Sequence, residues 1–321
     1  MSRKLLVVFP IAALVVALVV VKLPYFSEGP GPARDVEPLI KVTGHQRFGS
    51  AGHFILTSVS FDQLNVFQAI GVWLDSNRSI VPESAFVAPG ETQQQANRRA
   101  ISDMDESKID AAVVVLSRIA GYPRAHERGV LVEGVSEGCP AFGRLFPGDR
   151  LQVLDGRPIL SYRDFQRRLY RLPARAPIRL QGTADGRRFT VSIVRRRCAD
   201  SKRPLLGIAP IATFPFGISI SSGDIGGPSA GLMWALGLYD LLTPGDLTHG
   251  TTIAGTGEIT PDGHVEPIGG VRDKIVAAKS AGASLFFVPV DNYREARAVA
   301  GDLKLVPVRT FTQALRFLRR R

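Results

Sequence analysis

Between Gly223 and Gly282 the chain reads G-D-I-G-G-P-S-A-G-L-M-W-A-L-G-L, then a turn, then I-A-G-T-G-E-I-T-P-D-G-H-V-E-P-I-G-G, then V-R-D-K-I-V-A-A-K-S-A-G. No other stretch restricts the fold so tightly. Strand-like Gly217–Ser221 leads in, and the residues from Ala230 to Leu242 are apolar nearly all round, which predicts a buried helix. Pro228, after the glycine turn that ends at Gly227, has the fixed φ suited to a first helical turn. Ser229 therefore falls among free backbone N–H groups at the positive end of a helix. From this fragment alone such a serine reads equally well as an N-cap or as a reactive group.

Lys274 distinguishes the two. In a helix from Val271 to Ala281, steps of three and four place Lys274 beside Val271, Ala277, Ala278 and Ala281, while Arg272, Asp273, Lys279 and Ser280 fall elsewhere on the wheel. A lysine within an arc of valine and alanines is poorly solvated, and desolvation lowers its pKa. A neutral amine can take the proton of a serine hydroxyl. The competing reading is a lysine that snorkels to water, and the alanines argue against it by leaving room for a second group at the amine.

G-P-S-A-G followed by T-G-E-I-T, P-I-G-G and D-K-I-V-A-A resembles the proteolytic domain of the Lon family, serine proteases with a Ser–Lys dyad, and the likeness continues through F-F-V-P-V-D-N towards the C-terminus. The resemblance implies an α/β (α+β) catalytic domain with Ser229 as nucleophile and Lys274 as its base. It implies Thr256 beside the lysine, and Gly227 and Pro228 as the turn that presents the serine. It also implies assembly of several copies. One departure stands out: ATP-dependent members usually carry an acidic residue directly before G-P-S, where this chain has Gly226. The overlapping G-D-I-G-G-P is similar to the G-D-S-G-G-P of trypsin-like proteases, but Ile225 occupies the serine position and no nucleophile exists there.

The remaining chain is read in order. Ser2-Arg3-Lys4 precedes an apolar run, Leu5–Val21, of about the length that spans a bilayer once flanking side chains snorkel. A cleaved signal peptide competes, but its apolar core is usually shorter. We expect an uncleaved anchor with a cytoplasmic N-terminus, which places the rest of the chain outside the cytosol in the cell envelope. Residues 22–44, rich in Gly and Pro, read as a linker. Segments such as H-F-I-L-T-S-V-S-F predict strands, and Glu91–Ala120 predicts a helix with Ile101, Ile109, Val113, Leu116 and Ala120 on its buried face. Residues 45–120 would then begin the catalytic domain and 211–321 complete it. The formal charge of +11 on 321 residues is spread over Arg167–Arg197 and a C-terminal Arg tail, no nucleic-acid module is recognisable, and nucleic acid is not expected as a partner.

Residues 121–210 change character. G-V-L-V-E-G-V-S-E-G-C-P-A-F-G-R-L-F-P-G-D-R-L-Q-V-L-D-G-R-P-I resembles a bacterial PDZ domain. The resemblance implies a mainly β module, inserted into the catalytic domain, that binds extended peptide termini by strand addition. Leu206, Gly207 and Ile208 would form the carboxylate-binding loop, with Phe165 and Leu169 lining the groove. A core strand is the alternative for that loop. Cys139 and Cys198 read either as a disulfide or as two buried thiols, because spacing does not give the Cα separation. His249 and His264 lack a matching aspartate, so a Ser–His–Asp triad is not expected. No metal-ligand spacing occurs, and neither metal nor cofactor is expected.

The sequence thus predicts an ATP-independent, membrane-anchored serine endopeptidase acting on protein or peptide substrates. The rival is a catalytically silent, PDZ-bearing envelope chaperone or scaffold.

Overall fold

The computed structural model describes residues 18–75, 77–122, 129–184, 186–198, 201 and 203–321. The expected anchor, Leu5–Val21, lies mostly outside them, and among the described residues no helix is long and apolar enough to cross a membrane. The chain forms two compact units, one from residues 1–115 with 218–321 and the other from residues 116–217.

The first unit is built on a mixed six-stranded sheet. Its strand order is Lys304–Val308, Leu285–Pro289, Thr252–Gly255, His53–Gln63, Tyr25–Asp35, Ser79–Pro82. The first four run parallel and the last two pair antiparallel. Leu285, Phe286, Phe287 and Val288 are wholly buried, as a strand covered on both faces requires. The helix Gly231–Leu242 has all twelve residues buried, which is why its sequence shows no polar face. At Gly237 a Cβ would lie 2.3 Å from Val36 Cγ2, so the helix can approach its neighbour only with glycine there.

Two expectations are corrected. The Gly/Pro-rich stretch within 22–44 is not a linker: Tyr25–Asp35 is a sheet strand. Pro30 and Pro32 are tolerated because Ser79–Pro82 covers only Tyr25–Glu28, leaving the later part of the strand at an open edge, and because the register shifts between Pro30 and Ala33. The long helix forms over Gln93–Ile119, but its buried face is rotated from the predicted one. Leu116 is buried as expected, but Ile101 is exposed, Ile109, Val113 and Ala120 are only half-buried, and the inward positions include Met104, Ser107, Asp110, Ala111 and Val114. Polar residues on the buried face hid its phase from an apolar count.

The second unit is an antiparallel sheet in the order Ile208–Ala212, Val130–Val135, Arg150–Leu154, Pro177–Ala184, Arg187–Val194. The helix Tyr162–Arg171 starts at Ser161, whose Oγ accepts the Asp164 amide. It buries Phe165 and Leu169 in a core with Leu151, Leu154, Ile178 and Leu180, each such side chain contributing about 1.5–3 kcal/mol. Cys139 and Cys198 are joined in a disulfide with Cα atoms 5.1 Å apart.

One polar pair in the first unit was not legible in the sequence. Glu37 and Asp240, the latter in the last turn of the buried helix, face each other; among the described residues Glu37 Oε1 and Asp240 Oδ2 lack a hydrogen-bond partner of good geometry, with the Ser50 hydroxyl close to Asp240. A proton shared between the two carboxyls would satisfy both oxygens. Burial raises both carboxyls, Glu37 to about 8, with Asp240 and Asp35 adding to the rise and Arg47 opposing it. The folded chain keeps a proton that the unfolded chain has released above the ordinary carboxyl range. Stability therefore falls as pH rises towards about 8 and then levels off. Glu37→Gln, which keeps a donor at every pH, is expected to lose less thermal stability than the parent between neutral and mildly alkaline pH; equal losses in thermal melts would show that no proton is shared.

Candidate active site

Three chain segments meet at Ser229. The first is the turn before it. Gly227 has φ 82°, a conformation open to glycine, and its amide donates to the Ala100 carbonyl at 2.7 Å. Pro228 then opens a short 3-10 turn, Pro228–Ala230, which leads into the buried helix. Ser107 Oγ donates to the Pro228 carbonyl at 2.8 Å. At Gly226 a Cβ would sit 2.9 Å from Ala100 Cβ and 3.2 Å from that residue's carbonyl atoms. The long helix thus packs where an acidic side chain would begin, which accounts for the glycine found there. Ser229 is not an N-cap: neither the 3-10 turn nor the helix has a side-chain cap.

The second segment is the helix Val271–Ser280, entered through Gly270 at φ 66°. Lys274 is only 3% exposed, and Val271, Ala277 and Ala278 are buried with it, whereas Ala281, the fourth predicted neighbour, is exposed. The Lys274 amine reaches Ser229 Oγ at 2.5 Å and Thr256 Oγ1 at 3.3 Å. Burial pushes its pKa down from 10.5 to about 8. That fall corresponds to about 3 kcal/mol lost by the ammonium relative to the amine.

The third segment is Gly255–Gly257. Thr256 is wholly buried and donates through Oγ1 to the Ser229 carbonyl at 3.0 Å. The Gly257 amide donates to the same carbonyl at 2.8 Å, and the Leu232 amide donates to the Gly257 carbonyl at 3.0 Å. Thr256 thereby holds the amine and the nucleophile's own backbone. Ser107 and the Ala100 carbonyl were missed by the sequence reading. The available signal was a serine three residues from Met104 on a helix face that proves to be buried.

Among the described residues no histidine is a hydrogen-bond partner of the dyad. His249 pairs with the Leu318 carbonyl, and His264 lies near the exposed Asp262. Among the described residues no cluster of three or more His, Cys, Asp or Glu is arranged to hold a metal ion.

The second predicted site lies within residues 116–217. Phe165, Leu169, Leu206, Gly207 and Ile208 line one cavity of about 380 Å³, together with Tyr170 and both disulfide cysteines. Phe165, Leu169 and Leu206 are also core residues and form its buried apolar part. Gly207 has φ 80°, and a Cβ on it would lie 2.0 Å from Cys139 Cβ, so the disulfide packs directly behind the loop. The adjoining strand Ile208–Ala212 pairs with Val130–Val135 on one edge and ends the sheet on the other.

Residues 216–318 match the family described as the Lon protease (S16) C-terminal proteolytic domain. Similar curated proteins include Lon protease 2 of Bacillus subtilis, 37% identical over 102 residues, or 32% of this chain and 17% of that protein. The Lon protease of Campylobacter concisus is 38% identical over 95 residues, or 28% of this chain and 12% of that protein. The Lon protease of Methanosarcina barkeri is 31% identical over 138 residues, or 41% of this chain and 16% of that protein. The chain therefore spans less than a fifth of the length of these relatives. Among solved structures, the PDZ domain of the SdrC-like protein from Listeria innocua is 26% identical, covering 26% of this chain and 92% of that chain, with a TM-score of 0.24. The family match and the Ser229–Lys274 pair together support a serine peptidase.

If Lys274 is the base, activity rises with pH through a single ionisation near 8 as the ammonium loses its proton. Lys274→Arg should remain folded yet lose about a thousandfold in peptide hydrolysis, because guanidinium stays protonated. Near-normal turnover by a folded Arg variant would remove Lys274 from the mechanism.

Proposed function

We propose that the protein is an ATP-independent, membrane-anchored serine endopeptidase that acts on proteins in the cell envelope or outside the cell. Its PDZ-like unit, residues 116–217, would bind substrate termini. The observation that supports this reading best is the 2.5 Å approach of a buried, pKa-depressed lysine to a serine at a helix start.

The chemistry follows from that contact. The Ser229 hydroxyl proton passes to the neutral Lys274 amine as Oγ bonds the scissile carbonyl carbon. The carbonyl oxygen becomes an oxyanion that the Ser229 and Ala230 amides of the Pro228–Ala230 turn would stabilise, a contribution worth ~3–4 kcal/mol. The Lys274 ammonium returns the proton to the leaving amine when the C–N bond breaks, leaving an acyl-serine. Water then attacks that ester, giving its proton to Lys274, which passes it to Ser229 Oγ as the acid product departs. Each proton is accounted for by one amine.

ATP-independence rests on the dyad chemistry itself, in which every proton and acyl transfer uses only Ser229, Lys274 and water. Anchoring rests on the Leu5–Val21 run, and the extracytoplasmic location on Arg3 and Lys4 before it. A disulfide between Cys139 and Cys198 fits an oxidising compartment. Peptide capture rests on the cavity beside an open strand edge, where a chain end can add as a strand with its terminus at Leu206–Ile208.

A serine-directed phosphonate probe should label the full chain but not Ser229→Ala; labelling of both would favour a scaffold with an incidental reactive group. Peptides with a free terminal carboxylate should bind at least about tenfold more tightly than their C-terminal amides, as charge-assisted hydrogen bonds to backbone amides require. Equal affinity in fluorescence anisotropy would mean that the loop does not read chain ends.

A further inference from the structure

The helix Val66–Trp73 is turned outward. It contains no charged residue, and of its apolar side chains only Val72 is buried. Phe67, Ile70, Trp73 and Leu74 are 48%, 52%, 79% and 74% exposed. Their spacing puts Phe67, Ile70 and Leu74 on one helical face with Trp73 beside it. A helix of a water-facing surface carries its polar residues there.

Its position is equally unusual. Asn65 caps the helix by accepting the Gln68 amide at 2.8 Å, and through Nδ2 it donates to the Val19 carbonyl at 2.9 Å. Lys22 Nζ donates to the Gln63 carbonyl at 3.0 Å and to Gln68 Oε1 at 3.3 Å, and the Leu23 amide donates to the Leu64 carbonyl at 2.7 Å. The helix is thus stitched to the last residues of the apolar run Leu5–Val21, whose Val19, Val20 and Val21 are themselves exposed. An apolar helix face and the end of an apolar run form one neighbourhood. Tryptophan at its edge and lysine beside it are the side chains that settle at a lipid–water boundary.

We propose that Val66–Leu74 docks on a lipid bilayer, lying in the interface with Phe67, Ile70, Trp73 and Leu74 among the upper acyl chains. The proposal rests on the reading that Leu5–Val21 enters the same bilayer. Docking supplies a second membrane contact beside the first, so the catalytic unit is held against the surface rather than swinging on a single anchor.

Two tryptophans make the test clean. Trp234 is wholly buried against Met104, and Trp73 is almost fully exposed. The full chain is reconstituted in phosphatidylethanolamine–phosphatidylglycerol vesicles with acyl chains brominated near the headgroup. Emission of Trp73 is taken as the difference between the parent and Trp73→Phe, and flotation of the same samples reads the anchor. We expect the protein to float and the Trp73 emission to be quenched about twofold or more relative to unbrominated vesicles. A Phe67→Ser, Ile70→Ser, Leu74→Ser variant should still float but lose that quenching. Flotation with unquenched Trp73 overturns the docking and leaves the anchor standing. Failure to float overturns the anchor and the docking with it. Trp73 shielded from aqueous iodide with rising protein concentration, but unquenched by bromolipid, would assign the face to a second copy of the chain and overturn the proposal.

Discussion

The carbonyl oxygen of Ser229 accepts two hydrogen bonds, from the Gly257 amide and from Thr256 Oγ1, and the geometry of the catalytic centre depends on them. They fix the turn carrying the nucleophile to the end of a central sheet strand, Thr252–Gly255. The same threonine hydroxyl lies within reach of the lysine amine. One side chain therefore sets the spacing of base and nucleophile, and the sheet sets that side chain. The Lys274 helix packs on this sheet through Val271, Ile275 and Ala278, which join Ile55, Ala254, Phe286 and Val288 in one core. Misplacing either partner means disturbing that core.

The N-terminal half of the first unit supports this arrangement from the other side. Ala100 accepts the Gly227 amide, Ser107 donates to the Pro228 carbonyl, and Met104 accepts from the indole of Trp234. All three lie on one helix that precedes the second unit in the chain, while every group they touch follows it. The nucleophile turn is therefore completed by residues more than a hundred positions away. Gly226 belongs to the same contact, since the helix backbone occupies the space a side chain would need.

How much of this was legible depended on where the information lies. The Ser229 turn and the Lys274 face could be read directly, because a Gly-Pro step and alanines at helical spacing are local signals. The groove residues of the second unit came from resemblance, and the structure gathers all five around one cavity. The Tyr25–Asp35 strand was misread because its prolines lie beyond the cover of Ser79–Pro82, and strand pairing is not a local property. The long helix was misphased because Ser107 and Asp110 are buried and Ile101 is exposed, the reverse of what an apolar count assumes. The disulfide stayed open because its two cysteines are 59 positions apart, and only the fold brings their Cα atoms within bonding range.

The buried helix Gly231–Leu242 has a titrating contact at each end, and the two respond to alkali in opposite senses. At its start, Lys274 becomes useful only as its proton leaves, near pH 8. In its last turn, the Asp240 and Glu37 carboxyls face each other most favourably while one is protonated, and burial puts the Glu37 pKa at about 8. The conditions that arm the nucleophile are thus the conditions that loosen the far end of the helix presenting it. By the pH at which Lys274 is half deprotonated, most of the stability held by the carboxyl pair has already gone, so catalytic competence rises along these twelve residues as the hold on their far end falls.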